Sequence, residues 1–226
     1  MEATRMSDTA RQYDDLMKRQ KWSPMRAGFW DRVGDTPPKT AVRLLLRHHS
    51  NRARLKIIDV GCGDGHDLVL MRELLTELGY RGDLDLVGLD ISAEMVKACR
   101  QKSLNVIQDD FCSMSLAPLS GAHLVWSNMG LIHVPLADFP TAVERMVSVA
   151  ADNGIVCVSF KTGNDSDKID PPDERIPVPR YTAFHSVPTV ASLMEKNRCA
   201  IVSTIDIPSE TDPSYSYCWL FGQKKS

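Results

Sequence analysis

Residues 57–67 read Ile57-Ile58-Asp59-Val60-Gly61-Cys62-Gly63-Asp64-Gly65-His66-Asp67. The branched apolar residues Ile57, Ile58 and Val60 predict a buried central strand, and Gly61, Gly63 and Gly65 let the backbone turn tightly and come close to a ligand. Beyond them, Leu68, Met71, Leu74, Leu75 and Leu78 share one helical face. A strand, a glycine loop and a helix in that order bring backbone N–H groups to the carboxyl edge of a parallel sheet, where open α/β folds hold nucleotide-like ligands.

The spacing and charge of the loop narrow the ligand. In the dinucleotide fingerprint G-x-G-x-x-G the third glycine would fall on residue 66, but the last glycine comes one position early and His66 stands there. That departure counts against a nicotinamide dinucleotide. Asp59, Asp64 and Asp67 surround the loop, and three carboxylates repel a pyrophosphate while suiting an adenosine compound that carries an ammonium and a sulfonium.

The run Asp59-Val60-Gly61-Cys62-Gly63-Asp64-Gly65 resembles the D-x-G-x-G-x-G first motif of class I S-adenosylmethionine-dependent methyltransferases. The resemblance implies that Asp59, Gly61, Cys62, Gly63, Asp64 and Gly65 line the cofactor, which would be S-adenosyl-L-methionine, with S-adenosyl-L-homocysteine as product and no metal. Asp90 closes the run Leu-Val-Gly-Leu-Asp-Ile-Ser, where a strand-end carboxylate can accept the ribose hydroxyls; the alternative is an acid that only caps the next helix. Ile91 and Met95 either border the adenine or belong to the core. In relatives an acid after the third strand accepts the adenine amino group, a place that Asp110 fits and Asp109 contests, with Phe111 supplying an apolar wall.

A chain of 226 residues with a formal net charge of −2 fits one α/β domain and carries no global attraction for nucleic acid. Arg43, Arg47, Arg52, Arg54 and Lys56 collect between residues 42 and 56, a cluster read as the solvated face of a helix or, less favoured, as an RNA patch. The six cysteines are scattered without a C-x-x-C pair, so they read as core thiols of a reducing compartment rather than as a zinc site. No apolar run approaches membrane-spanning length and the first residues lack a signal-peptide core, which together predict a cytoplasmic protein.

Along the chain, strands are predicted at residues 84–90, 105–108, 122–127 and 155–160, alternating with helices that begin at Ser92 and near Asp138. That alternation predicts an α/β, Rossmann-like, doubly wound and mostly parallel sheet with helices on both faces. Residues 162–187 are polar and proline-containing and are read as a long functional loop. A helix at 187–197 and two strands at 200–207 and 215–222 follow, forming an antiparallel hairpin at the sheet edge. The family resemblance implies seven strands in the order 3-2-1-4-5-7-6, the last antiparallel. It divides the chain into an N-terminal helical lid segment, 1–38, containing Tyr13, Trp22, Phe29 and Trp30, and a methyltransferase domain, 39–226.

After the fourth strand comes Trp126-Ser127-Asn128-Met129-Gly130-Leu131-Ile132-His133-Val134-Pro135. It resembles small-molecule methyltransferases with an I-V-H-I-P segment, followed here by Phe139-Pro140. The resemblance implies that Ser127 and Asn128 lie near the methionine part of the cofactor, that Tyr13 in the lid segment covers the cofactor or else packs on the sheet, and that Asn128 and His133 face the acceptor. His133 can serve as a general base near neutral pH, or it can bond backbone and fix the loop. Tyr181 and His185 are read either as acceptor contacts or as surface residues. The N-P-P-Y motif of base N-methylation and a nucleophilic Pro-Cys pair are both absent, which favours a small-molecule acceptor. An RNA or protein methyltransferase and a non-catalytic partner subunit with the same fold are the alternatives.

Overall fold

The computed structural model describes residues 10–15, 17, 36–171, 179–210 and 212–226. Trp22, Phe29 and Trp30 of the predicted lid segment lie outside these residues; residues 10–15 are helical. The five helices that can be bounded among the described residues are α1 (Pro37–His49), α2 (His66–Glu77), α3 (Ala93–Gln101), α4 (Phe139–Val149) and α5 (Val187–Lys196). The strands are β1 (Arg54–Val60), β2 (Asp83–Asp90), β3 (Asn105–Gln108), β4 (Ala122–Ser127), β5 (Ala150–Thr162), β6 (Ser166–Asp170), β7 (Arg180–His185), β8 (Cys199–Pro208) and β9 (Ser216–Lys224).

Helix starts follow local chemistry. Thr36, Ser92 and Ser186 each turn a side-chain oxygen onto the amide three residues on, satisfying a donor that the first turn leaves open. Proline occupies the first turn of α1, α4 and α5, where its missing N–H costs nothing. Gly65 precedes α2 at φ +78°, and a Cβ there would stand 2.3 Å from the Leu104 side chain.

Strands β3, β2, β1, β4 and β5 pair in parallel, and β9 then runs antiparallel between β5 and β8. This is the expected order with an antiparallel terminal hairpin. The expected seven strands become nine among the described residues, because the segment read as a loop, 162–187, contains an antiparallel hairpin of β6 and β7. Its anchor is short: β7 meets the end of β5 only through Lys161–Phe184 and Thr162–His185. The alternation there, Tyr181, Thr182, Ala183, Phe184, is broken by polar residues, which hid the strand from a periodicity reading.

Alternate strand residues feed two cores. Ile58, Val125, Val156 and Val158 pack with α4 and α5, whereas Ile57, Leu124, Trp126, Ile155 and Cys157 pack with α1, α2 and part of α3. Burial on both faces explains why β1, β4 and β5 read as nearly continuous apolar runs. The basic cluster is divided between elements: Arg43 and Arg47 project from α1, but Arg54 and Lys56 belong to β1. Arg54 pairs with Asp85 at 3.2 Å, and the Lys56 ammonium donates to the carbonyls of Pro118 and Ser120, so the expected single helix face is not formed. No helix among the described residues is long and apolar enough to cross a membrane.

Candidate functional site

All five parallel strands end at one edge, and the glycine loop crosses it. The amides of Gly61 and Cys62 both donate to the Leu89 carbonyl, at 2.8 and 3.0 Å, folding the loop over the end of β2. Gly61 holds φ +72°, and a Cβ on it would lie 2.8 Å from the Gly130 Cα. Side chains at either glycine would separate the two loops, so this close backbone approach gives the edge a floor without side chains.

Asp90 ends β2 beside that floor. Its Oδ2 accepts the Gly63 amide at 2.8 Å and its Oδ1 accepts the Ser92 amide at 2.9 Å. Burial pushes the carboxyl above the ordinary Asp range, the amides of Ser92, Gly63 and Ile91 pull it down, and the neighbouring Asp14 pushes it up. A carboxylate offers about four lone-pair sites, so these three amides leave it acceptor capacity. The site thus offers paired acceptors next to bare backbone, the chemistry that recognises a ribose diol. The helix-cap alternative for Asp90 is answered by Ser92, whose hydroxyl caps α3 by accepting the Met95 amide at 3.2 Å.

Two of the three loop carboxylates do not serve as expected. Asp67 is 1% exposed, and its Oδ2 accepts the Trp126 indole N–H at 3.0 Å and the Asn128 amide at 2.8 Å. It is an interior anchor of α2 against β4. Asp64 meets the Lys102 ammonium at 2.8 Å, so its charge is matched from α3. Asp59 is buried at the end of β1, between Gly88 and Trp126 in register. The loop therefore presents less negative charge than its sequence suggested, and Asp90 supplies the principal acid.

Cys62 points away from the edge, with its Sγ 3.9 Å from that of Cys99, whose own thiol donates to the Gly63 carbonyl at 3.1 Å. Met95 is buried and Ile91 half-buried near the start of α3. Asp110 spends its carboxylate on its own turn, accepting the Cys112 amide at 2.9 Å and the Ser113 hydroxyl at 3.3 Å. Asp109 is exposed and accepts the Asp110 amide at 2.8 Å. Phe111 is buried, with the Arg145 guanidinium 5.6 Å above its ring.

Beyond β4, Ser127 is fully buried and donates to the Val60 carbonyl at 2.9 Å, tying β4 to β1. Asn128 is corrected as an acceptor-positioning residue: its amide group donates to Asp67, and its oxygen accepts the Trp219 indole N–H at 3.2 Å. Both ends of that side chain face the interior. Met129 holds φ +58°, a left-handed conformation costly for a side chain of its size, and its amide donates to Ser159 Oγ at 2.6 Å. Ser159 in turn donates to the Ser127 carbonyl at 2.9 Å. Ser159 belongs to the stretch Ser159-Phe160-Lys161-Thr162-Gly163 that shares in the family resemblance, but its clamping of the turn after β4 has no signal in the sequence, because a serine in an apolar strand does not show its partner.

His133 closes the 3-10 turn Leu131–His133. Its Nδ1 lies 2.8 Å from the Tyr181 carbonyl, which can only accept, so Nδ1 carries the proton and Nε2 is the acceptor. Nε2 receives the hydroxyl of Tyr13 at 2.5 Å. Burial drives the imidazole down to about 4, and the charges of Arg180 and Lys161 assist against the raising effects of the Tyr181 bond and Asp170. The ring is neutral at physiological pH. Tyr181 and His185 are both buried: the Tyr181 hydroxyl donates to Asp167, and His185 stacks on Phe139 at 3.6 Å. His185 is a core residue, contrary to its reading as a surface or acceptor residue. The residue least visible in the sequence is Asp14, whose Oδ1 accepts the Ser92 hydroxyl at 2.5 Å and the Glu94 amide at 3.1 Å.

Comparison with known proteins agrees with this geometry. A family model described as a methyltransferase domain matches residues 57–154. A ubiquinone biosynthesis O-methyltransferase of Nitrosococcus oceani is 27% identical over 133 residues, covering 54% of this chain and 52% of the relative. The chain thus spans about half the length of that curated relative. Among solved structures, the 1,6-didemethyltoxoflavin-N1-methyltransferase of Burkholderia thailandensis, with S-adenosylhomocysteine bound, aligns at TM-score 0.63 and 16% identity over 98% of this chain and 87% of its own. A [4+2]-cyclase aligns at TM-score 0.65 and 12% identity over 96% and 95%. Likeness at such identities establishes the fold, and the presence of a cyclase on it leaves the chemistry to be argued from the site.

Proposed function

We propose that this chain, a class I S-adenosylmethionine-dependent methyltransferase by sequence and fold, binds S-adenosyl-L-methionine across the β1–β2 edge and methylates a small-molecule acceptor. The observation that carries this reading is Asp90, a half-buried strand-end carboxylate with spare acceptor capacity beside the close approach of Gly61 to Gly130. A ribose diol matches the former, and the latter keeps the floor beside it free of side chains. When bound, the cofactor supplies an electrophilic methyl group on a sulfonium.

The chain's own contribution is position and desolvation. Tyr13 and His133 meet over the turn that follows β4, and the depressed basicity of His133 suits it to accept and orient a donor rather than to hold a full proton charge. The N1- and O-methyltransferase relatives named above act on small molecules, which supports that acceptor class over RNA or protein. Cytoplasmic location remains part of the proposal.

Calorimetry tests the cofactor: S-adenosylhomocysteine should bind the whole chain and NADH should not, and the reverse preference sinks the reading. With methyl-labelled S-adenosylmethionine and cell extract, label should enter low-mass products; label confined to RNA or protein would reject the acceptor class.

A further inference from the structure

We infer that Asp14 is a positioning residue that couples the cofactor side of the site to the acceptor side. Tyr13 and Asp14 are adjacent in the helical stretch 10–15, yet their side chains engage opposite parts of the edge. Tyr13 reaches His133, beyond β4, whereas Asp14 reaches Ser92 and Glu94, at the start of α3. Ser92 is itself bonded to Asp90 through its amide. A continuous path therefore runs from the Gly63 amide through Asp90, Ser92, Asp14 and Tyr13 to His133 and the Tyr181 carbonyl.

The bonds at α3 are directional. Asp14 Oδ1 supplies a second acceptor at a helix start that Ser92 already caps, and its charge is favourable beside that N-terminus. It is unfavourable beside Asp90, whose carboxyl it pushes up. A ligand whose hydroxyls donate to Asp90 disperses that negative charge and removes part of the cost of keeping Asp14 docked. Docked Asp14 leaves Tyr13 little freedom, since the two residues share one turn of helix. Occupation of the Asp90 side thus favours placement of the Tyr13 hydroxyl on His133, and by reciprocity a seated Tyr13 favours ligand at Asp90.

This inference rests on the proposed cofactor site, and its test separates the two. On the full chain, S-adenosylhomocysteine affinity is measured for wild type, Asp14→Ala and Asp14→Asn, with hydrogen–deuterium exchange of the peptide spanning residues 10–15. Failure of wild type to bind overturns the cofactor reading. If wild type binds, the ligand should slow exchange at 10–15, Asp14→Ala should weaken binding at least fivefold and abolish that slowing, and Asp14→Asn, which still accepts both bonds but lacks the charge that Asp90 repels, should bind about as well as wild type with exchange at 10–15 already slow before ligand is added. Wild-type affinity in Asp14→Ala, or exchange at 10–15 indifferent to ligand in wild type, overturns the inference. A role confined to stability would lower the melting temperature of Asp14→Ala without ligand-dependent exchange. The exchange measurement on wild type decides the matter even if Asp14→Ala does not fold.

Discussion

Asp90 and Gly63 are joined by a 2.8 Å hydrogen bond from the loop amide to the carboxylate. The acid at the end of β2 thereby fixes the conformation of the glycine loop at the end of β1 and is itself the proposed ribose contact. Asp90→Ala removes both functions, and S-adenosylhomocysteine affinity should fall more than tenfold by calorimetry. Because burial raises the Asp90 carboxyl above its ordinary value, affinity should also weaken on acidification before an exposed Asp would protonate.

Gly61→Ala should be more damaging than a methyl group suggests. The residue sits at φ +72°, and the added Cβ would lie 2.8 Å from the Gly130 Cα, backbone that cannot rotate away. The left-handed conformation alone costs on the order of 1–2 kcal/mol. Denaturant unfolding should show at least that loss, with ligand binding abolished; a neutral variant would contradict the close approach.

The Trp126–Asp67–Asn128–Trp219 network should behave as structure. Asn128→Ala leaves the Trp219 indole and part of the Asp67 carboxylate without their partners in the interior, a loss of about 1–3 kcal/mol. Its effect should appear in chemical denaturation more than in the turnover of protein that remains folded. A large fall in turnover at unchanged stability would restore Asn128 to the acceptor site.

Stability should decline as pH falls from about 6.5 towards 4. His133 and His185 are both held at about 4 in the fold by burial, below an unfolded value near 6.5. The unfolded chain therefore takes up protons first, and stability present above pH 6.5 is lost through that window, on the order of a few kcal/mol in total. His185→Phe keeps the stacking on Phe139 and should flatten the pH dependence of the melting temperature. An unchanged slope would assign the effect elsewhere.

His133→Phe removes the acceptor for the Tyr13 hydroxyl. S-adenosylhomocysteine affinity should change less than in Asp90→Ala, while methyl transfer from labelled cofactor should fall at least tenfold. Full activity would confine His133 to fixing the loop.

The sheet was legible because its signals are local. Ile57 to Val60, Leu84 to Asp90 and Ala122 to Ser127 each run apolar into an acid or a polar turn, and the helix starts at Ser92 and Ser186 carry their caps in the chain itself. The β6–β7 hairpin was not legible, because its pairing with β5 joins only two residue pairs and its polar content resembles a loop. Charge was misread at Asp67 for a related reason: in sequence it neighbours the glycine loop, but the first turn of α2 points it inward onto two donors from β4 and its following turn.

The sequence by itself determined the alternation of strands and helices and the glycine loop, since apolar period, glycine spacing and the strand-end acid are properties of short segments; the strand order was implied only by the family resemblance that those segments carry. The tertiary structure decided what each polar side chain does. Whether Asp67, Asn128 and His133 face a ligand or the interior depends on partners 61, 91 and 120 positions away, and in a buried, low-dielectric setting those partners decide a polar group's role.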